Sequence, residues 1–189
     1  MFWLGSQPKR QLSTVLPKLL YWIFERDFKM TQNELKELLH YDQDTGVFTW
    51  LKDIGHVKAN SIAGSISKRQ YLTIGINKKL YLSHRLAWLY VYGSLPKLID
   101  HINGNSLDNK ISNLRAATHV QNGYNQKLNK NNKSGCKNVF WCATKKRWIV
   151  KININKKPTH IGNFKDLELA DLVAQEARNK YHDIFSRNK

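Results

Sequence analysis

Apolar residues recur in short blocks separated by turn formers along most of the chain, a pattern that predicts many short strands with a few helices among them. Thr31-Gln-Asn-Glu34 is a capping box that satisfies the free amides at the start of a short helix over residues 35–39. Asp42-Gln-Asp-Thr-Gly46 is a turn, and the strand formers Val47-Phe-Thr-Trp50 follow it. Two more strands are expected over 61–67 and 71–76, and Asn77-Lys-Lys79 is a hairpin connection into 80–83. Residues 84–92 are apolar on nearly every side and stop at Gly93, with Pro96 just beyond, which predicts a buried helix.

The next stretch alternates differently. Residues 98–102 form a short apolar strand with Asp100 and His101 set in it, 103–113 is a turn-rich loop, and 114–118 is a second strand. Thr118-His-Val-Gln121 is another capping box and starts a helix carrying Asn122 and Asn125. Residues 128–134 lose their apolar content and read as a tether. Beyond it, 138–143, 147–155 and 159–164 are strands joined by lysine-rich turns, and a helix follows from 167 to about 184. Asp166 is its N-cap, and Leu169, Ala170, Val173, Ala177, Tyr181, Ile184 and Phe185 recur at three and four as its packing face. The expected fold is α+β: a small β-rich N-terminal region, a strand-loop-strand-helix centre, and a C-terminal three-stranded antiparallel sheet packed on one helix. The expected organisation is an N-terminal extension at 1–29, a first unit at 30–127, a linker at 128–134 and a second unit at 135–189. Met30, just before the first capping box, is one candidate for the natural start, a point left open by the sequence, and the apolar stretch 16–24, interrupted by Pro17 and Lys18, is not read as a signal peptide.

Charge changes the picture. Among 189 residues, 31 Lys and Arg face 14 Asp and Glu, a formal net charge of +17 and a pI near 9.9. That imbalance predicts a polyanionic partner. From Asn109 to Lys165 there is no Asp or Glu, while Lys133, Lys137, Lys145, Lys146, Arg147 and Lys151 lie within that span, interleaved with Phe140, Trp141 and Trp148. Unopposed cations alternating with aromatic rings point to nucleic acid. Cys136 and Cys142 have no second pair, which excludes a disulfide framework and a four-cysteine zinc site and fits a reducing compartment. No apolar run reaches the ~18–20 residues of a bilayer span.

The chemistry concentrates in Asp100, His101, Asn113 and Asn122. The strand-loop-strand-helix reading folds the loop back so that these residues converge. Asp100 and Asn122 are then expected to offer a carboxylate and an amide oxygen to one hard cation, Mg²⁺ or Mn²⁺ rather than zinc. His101, whose ordinary pKa of ~6.5 leaves it neutral near pH 7, suits a general base. Asn113 is expected to hold the loop and orient His101, and Arg115 to offer its guanidinium fork to a phosphate.

With these residues in view the sequence resembles the HNH (His-Asn-His, or ββα-metal) nucleases, in the homing branch of phages and mobile elements. The resemblance rests on His84-Arg85, Trp88, Gly93, Asp100-His-Ile-Asn-Gly-Asn105, Leu107, Asn109, Ile111, Asn113-Leu-Arg115, Thr118, Gln121-Asn122 and Asn125, about forty-five residues from roughly 84 to 127. Asn122 stands where the third histidine gives the family its name, as in the homing branch. The tail, through Lys133-Ser-Gly135, Val139, Trp141, Trp148, His160-Ile-Gly162, Phe164, Ala170 and Ala174, is similar to the DNA-binding domain of plant ethylene-response factors, though Asn138 stands where such domains often have glycine.

The expected function is therefore a metal-dependent endonuclease that hydrolyses double-stranded DNA in a host cytoplasm, with His101 and Asn113 catalytic and one Mg²⁺ or Mn²⁺ on Asp100 and Asn122. The residues expected to touch DNA are His84, Arg85, Arg115, Lys133, Lys137, Trp141, Lys145, Lys146, Arg147 and Lys151, with His84 equally able to serve as a packing residue. Two rivals are a DNA-binding regulator whose nuclease centre has decayed and a basic RNA-binding protein; the second accounts for the charge and not for the Asp-His/Asn/Asn set.

Overall fold

The computed structural model describes residues 30–188; the extension at 1–29, including the apolar stretch 16–24, lies outside them. Helix α1 (Gln32–Leu38) opens on the expected capping box, with Thr31 Oγ1 accepting from Glu34 N at 3.2 Å and the Glu34 carboxylate accepting from Thr31 N at 2.7 Å. It runs straight into strand β1 (Leu39–Tyr41), which pairs antiparallel with β2 (Phe48–Trp50). The sequence had not disclosed β1, because three residues alternating inward and outward are too short a signal to separate from the end of a helix.

Strands β3 (Ser65–Ile66), β4 (Leu72–Ile76) and β5 (Lys79–Leu82) form a three-stranded antiparallel sheet. Only two residues of the strand expected over 61–67 join it, since Ala63 N and Trp50 N bond instead across to Phe48 O and Ser61 O and tie that segment to β2. Helix α2 (Ser83–Tyr92) follows without a loop and ends at Gly93, where a φ of 71° takes the left-handed cap that glycine accepts without a side-chain clash. Leu35, Leu39, Phe48, Ile74 and Leu86 are fully buried between these elements, each contributing about 1.5–3 kcal/mol of transfer free energy. Tyr41, Phe48 and Tyr90 pack tilted and edge to face against one another in the same core.

Strand β6 (Ile99–His101) pairs antiparallel with β7 (Leu114–Ala116) in the register Ile99↔Ala116, Asp100↔Arg115, His101↔Leu114. A 3-10 turn at Ile111–Asn113 closes the loop between them, and helix α3 (His119–Tyr124) begins at the second capping box, with Gln121 N donating to Thr118 Oγ1. Ile99 and Leu114 anchor the strand pair in the N-terminal core.

The C-terminal sheet has the order β10-β9-β8, from β8 (Val139–Cys142), β9 (Arg147–Ile154) and β10 (Lys157–Phe164), and helix α4 (Leu167–His182) covers one face. The fold class expected from the sequence is the one observed. Asp166 caps α4, accepting from Leu169 N at 2.7 Å. The packing face differs from expectation: Leu169, Tyr181 and Ile184 are exposed, and the buried stripe is Ala170, Ala174 and Ala177. Methyl side chains let the helix lie close on Val139 and Val150, which a stripe of leucines would hold off. Fully buried Arg178 continues that stripe, donating to Lys137 O at 2.6 Å and Asn188 Oδ1 at 2.9 Å.

The elements before residue 128 touch those after residue 134. Tyr124, at the end of α3, stacks on His182 with ring centroids 3.6 Å apart. The Lys137 ammonium donates to three backbone carbonyls, Tyr124 O at 2.9 Å, Gln126 O at 2.7 Å and Arg187 O at 3.2 Å. Its three N–H donors are all engaged inside the protein, so it is not a free cation for a phosphate, and burial pushes its pKa down to about 8. Lys137→Met is expected to lower stability by about 1–3 kcal/mol, because three carbonyls lose a charged donor, as measured by urea unfolding of the full chain; an unchanged midpoint would show the clamp to be idle.

Candidate active site

Three consecutive buried residues of β6 bring Asp100 and His101 side by side on opposite faces of the strand. Across the pair, Arg115 reaches the Asp100 carboxylate with both Nε, at 2.8 Å, and Nη2, at 2.7 Å, on the same oxygen, Oδ2. Asn125, the C-cap of α3, supplies the other donor: its Nδ2 lies 3.0 Å from each carboxylate oxygen and 2.7 Å from His101 O. Among the described residues Oδ1 thus takes one hydrogen bond and keeps lone pairs, while Oδ2 is saturated. The asparagine of α3 that bonds Asp100 is Asn125, and Asn122 is the one expected to share a cation with that carboxylate. Asn122 sits half-buried one turn earlier on α3, and periodicity alone does not decide which asparagine of a short helix turns inward.

The His101 ring is oriented by a residue the sequence reading had not given a role. Nε2 lies 3.1 Å from Asn109 Oδ1, an atom that only accepts, so Nε2 carries the proton and Nδ1 keeps its lone pair. Asn109 is itself 2% exposed and rigidly seated, since Tyr41 Oη donates to its carbonyl at 2.6 Å. Behind it, Gly46 at φ 75° lies so close that a Cβ there would stand 2.5 Å from Lys110 N and 2.6 Å from Asn109 C, so only glycine fits. Asn113 does something else. Its Oδ1 accepts from Asn103 N at 3.0 Å, and its Nδ2 donates to Asp108 O at 2.8 Å and Asn103 Oδ1 at 3.1 Å. It therefore locks the 102–113 loop, and the division of labour is Asn113 for the loop and Asn109 for the ring.

His84 forms a wall of the site. Its buried ring lies 5.0 Å from that of His101, edge to face, and Tyr71 packs against both rings, 5.7 Å from His84 and 6.4 Å from His101. Burial drives its pKa down to about 3, with the neighbouring His101 and Arg85 adding to the effect. It is a neutral group packed against the His101 ring. Burial also lowers the His101 pKa below the ordinary 6.5, partly opposed by the Asn109 bond and the Asp100 charge, so His101 is neutral at pH 7.

The remaining residues expected at DNA divide. Arg115 is occupied by Asp100 and only 12% of its side chain is exposed. Lys133, Lys145, Lys146 and Lys151 are exposed, whereas Arg85 and Arg147 are half-buried. By register, Phe140, Arg147, Lys151 and His160 share the face of the C-terminal sheet that α4 leaves open, with Lys151 Nζ 5.6 Å from the Phe140 ring. Trp141 lies on the other face at the sheet edge, half-exposed and edge-to-face with Trp148 at 5.0 Å. Among the described residues there is no group of three His, Cys, Asp or Glu placed to hold a metal ion. No helix among them is long and apolar enough to cross a membrane.

Residues 81–124, which span the Asp100-His101 strand, its loop and α3, match the HNH endonuclease family. The chain is also 33% identical over 108 residues to Protein 3.8 of Escherichia phage T7, covering 55% of this chain and 87% of that protein. This chain belongs to the Protein 3.8 family. It carries an HNH endonuclease domain, and the buried pair of β6 lies inside it. No solved structure matches the chain.

Because the His101 pKa lies below the ordinary value, its neutral form persists as pH falls, and a rate that depended on that form is expected to decline only below pH 6.5. Asn109→Asp would place a carboxylate on Nε2, stabilise the imidazolium and move that decline to higher pH. Rate against pH for both proteins checks this, and superimposable acid limbs would remove Asn109 from the ring of His101.

Proposed function

We propose that this protein is a metal-dependent endonuclease acting on double-stranded DNA, with His101 as the general base of its HNH domain. The observation that carries the reading is the His101–Asn109 hydrogen bond: it holds the proton on Nε2 and leaves Nδ1 free on a buried, neutral ring beside a fixed carboxylate. Such a ring accepts the proton of a water attacking phosphorus. Asn109 holds the imidazole in place as it becomes charged, and the Asp100 carboxylate nearby steadies that charge. Asn113 keeps the loop closed while this happens.

The donor set fits a hard divalent cation. Asp100 Oδ1 accepts a single hydrogen bond and keeps lone pairs, α3 carries the amide oxygen of Asn122, and these two residues would hold one Mg²⁺ or Mn²⁺. A bound ion would neutralise charge on the scissile phosphate and on the departing 3′ oxygen.

DNA is the substrate expected of an HNH domain, and the basic open sheet face, with Phe140, Arg147 and Lys151, together with Lys133, Lys145 and Lys146, supplies the phosphate contacts. Lys137 and Arg115 do not take part directly, since each is occupied within the fold. In this reading residues 30–127 cut, 128–134 connect and 135–189 bind as an ethylene-response-factor-like module, after the manner of homing enzymes, and the phage relative points to a host cytoplasm as the setting.

Incubation of supercoiled plasmid with the purified chain in Mg²⁺, Mn²⁺ or EDTA tests this. Cleavage is expected with metal alone, and His101→Ala is expected to lose about 10²–10⁴-fold in rate while retaining duplex DNA. Salt-sensitive DNA retention with no cleavage under any metal would favour the DNA-binding regulator instead.

A further inference from the structure

The C-terminal end of the chain reaches the nuclease centre. After α4, the 3-10 turn Asp183–Phe185 brings Ile184 O against Arg115 Nη1, and the buried Phe185 ring covers the guanidinium with its centroid 4.0 Å from Cζ. This is the guanidinium whose Nε and Nη2 hold Asp100 Oδ2. One residue further on, Arg187 lies directly over Gly104 in the 102–113 loop, so close that a Cβ at Gly104 would collide with its Nη1. The carbonyl of Arg187 is in turn fastened by Lys137 at 3.2 Å.

We propose that residues 184–187 are a positioning part of the nuclease centre: through Arg115 they fix the direction of Asp100 Oδ1, and through Arg187 they brace the loop that carries Asn109. This rests on the nuclease reading above and deepens it. An arginine tied to a carboxylate by one edge alone swings about that edge. Here a second edge is tied to a backbone carbonyl and the flat face is covered by an aromatic ring, which removes that freedom. The carboxylate then presents Oδ1 in one orientation. The same turn ends the helix that backs the C-terminal sheet, so the basic module and the cutting centre share a structural member.

Phe185→Leu keeps the apolar volume and removes the ring face, and Phe185→Tyr keeps both. Binding of Mn²⁺ to the full chain without DNA, followed by the spectrum of the free ion, is read beside kcat and KM for plasmid cleavage. Phe185→Leu is expected to weaken Mn²⁺ binding and lower kcat by about tenfold each, as loss of a group behind a ligand does, with KM for DNA unchanged. Phe185→Tyr is expected to restore both. Should Phe185→Leu fail to fold, Arg115→Lys, which keeps the charge and loses the fork, is expected to give the same loss. Wild-type Mn²⁺ binding and kcat in the variant, with His101→Ala inactive, would overturn this inference and leave the nuclease reading standing. A wild-type chain that neither binds Mn²⁺ nor cleaves would overturn both.

Discussion

A carboxylate buried in β6 must be paired, and most of the structure around the site follows from how Asp100 is paired. Leaving one partner of a buried ion pair alone costs about 3–5 kcal/mol, so the Asp100 position demands Arg115 and the donors that complete it. The antiparallel register sets Arg115 opposite. Asn125 fastens the end of α3 onto the same carboxylate, and Arg115 draws in the C-terminal turn through Ile184 and Phe185. Strand pair, helix and tail thus converge on one charge, and the oxygen they leave open is Oδ1.

His101 occupies the opposite face of the same strand, and its surroundings act in the other sense. Where Asp100 is surrounded by hydrogen-bond donors, His101 is packed against the rings of His84 and Tyr71, and its burial favours the neutral form over the opposing pull of the Asn109 amide oxygen. Adjacent residues with opposite requirements are accommodated because consecutive side chains of a strand point to opposite faces. The N-terminal hairpin has a place in this: Tyr41 and Gly46 seat Asn109, which seats the ring.

Much of this was legible in the sequence where the signal is local. Both capping boxes, the Gly93 stop, the Asp166 cap and the strand-loop-strand-helix order each rest on residues within a few positions of one another, and each is found where the chain spelled it. What was not legible depends on contacts across the fold. The choice of Asn109 over Asn113 for the ring is made by a loop conformation that a network of side-chain hydrogen bonds stabilises, and the bond from Asn125 to Asp100 by the rotation of a six-residue helix. The basic tract misled in one respect: Lys137 and Arg115 count toward net charge yet are consumed by internal carbonyls and by Asp100. The alanine stripe of α4 shows the same limit, since a helix that packs closely selects the small residues that hydropathy ranks low.

The central claim is that His101 is a neutral base whose proton sits on Nε2. Nitrogen-detected nuclear magnetic resonance of the histidine-labelled full chain, titrated with acid, measures this directly. The account predicts a protonated Nε2 and an unprotonated Nδ1 at pH 7, with the ring charging only below pH 6.5. A ring that is already an imidazolium at pH 7, or one whose proton lies on Nδ1, would contradict it.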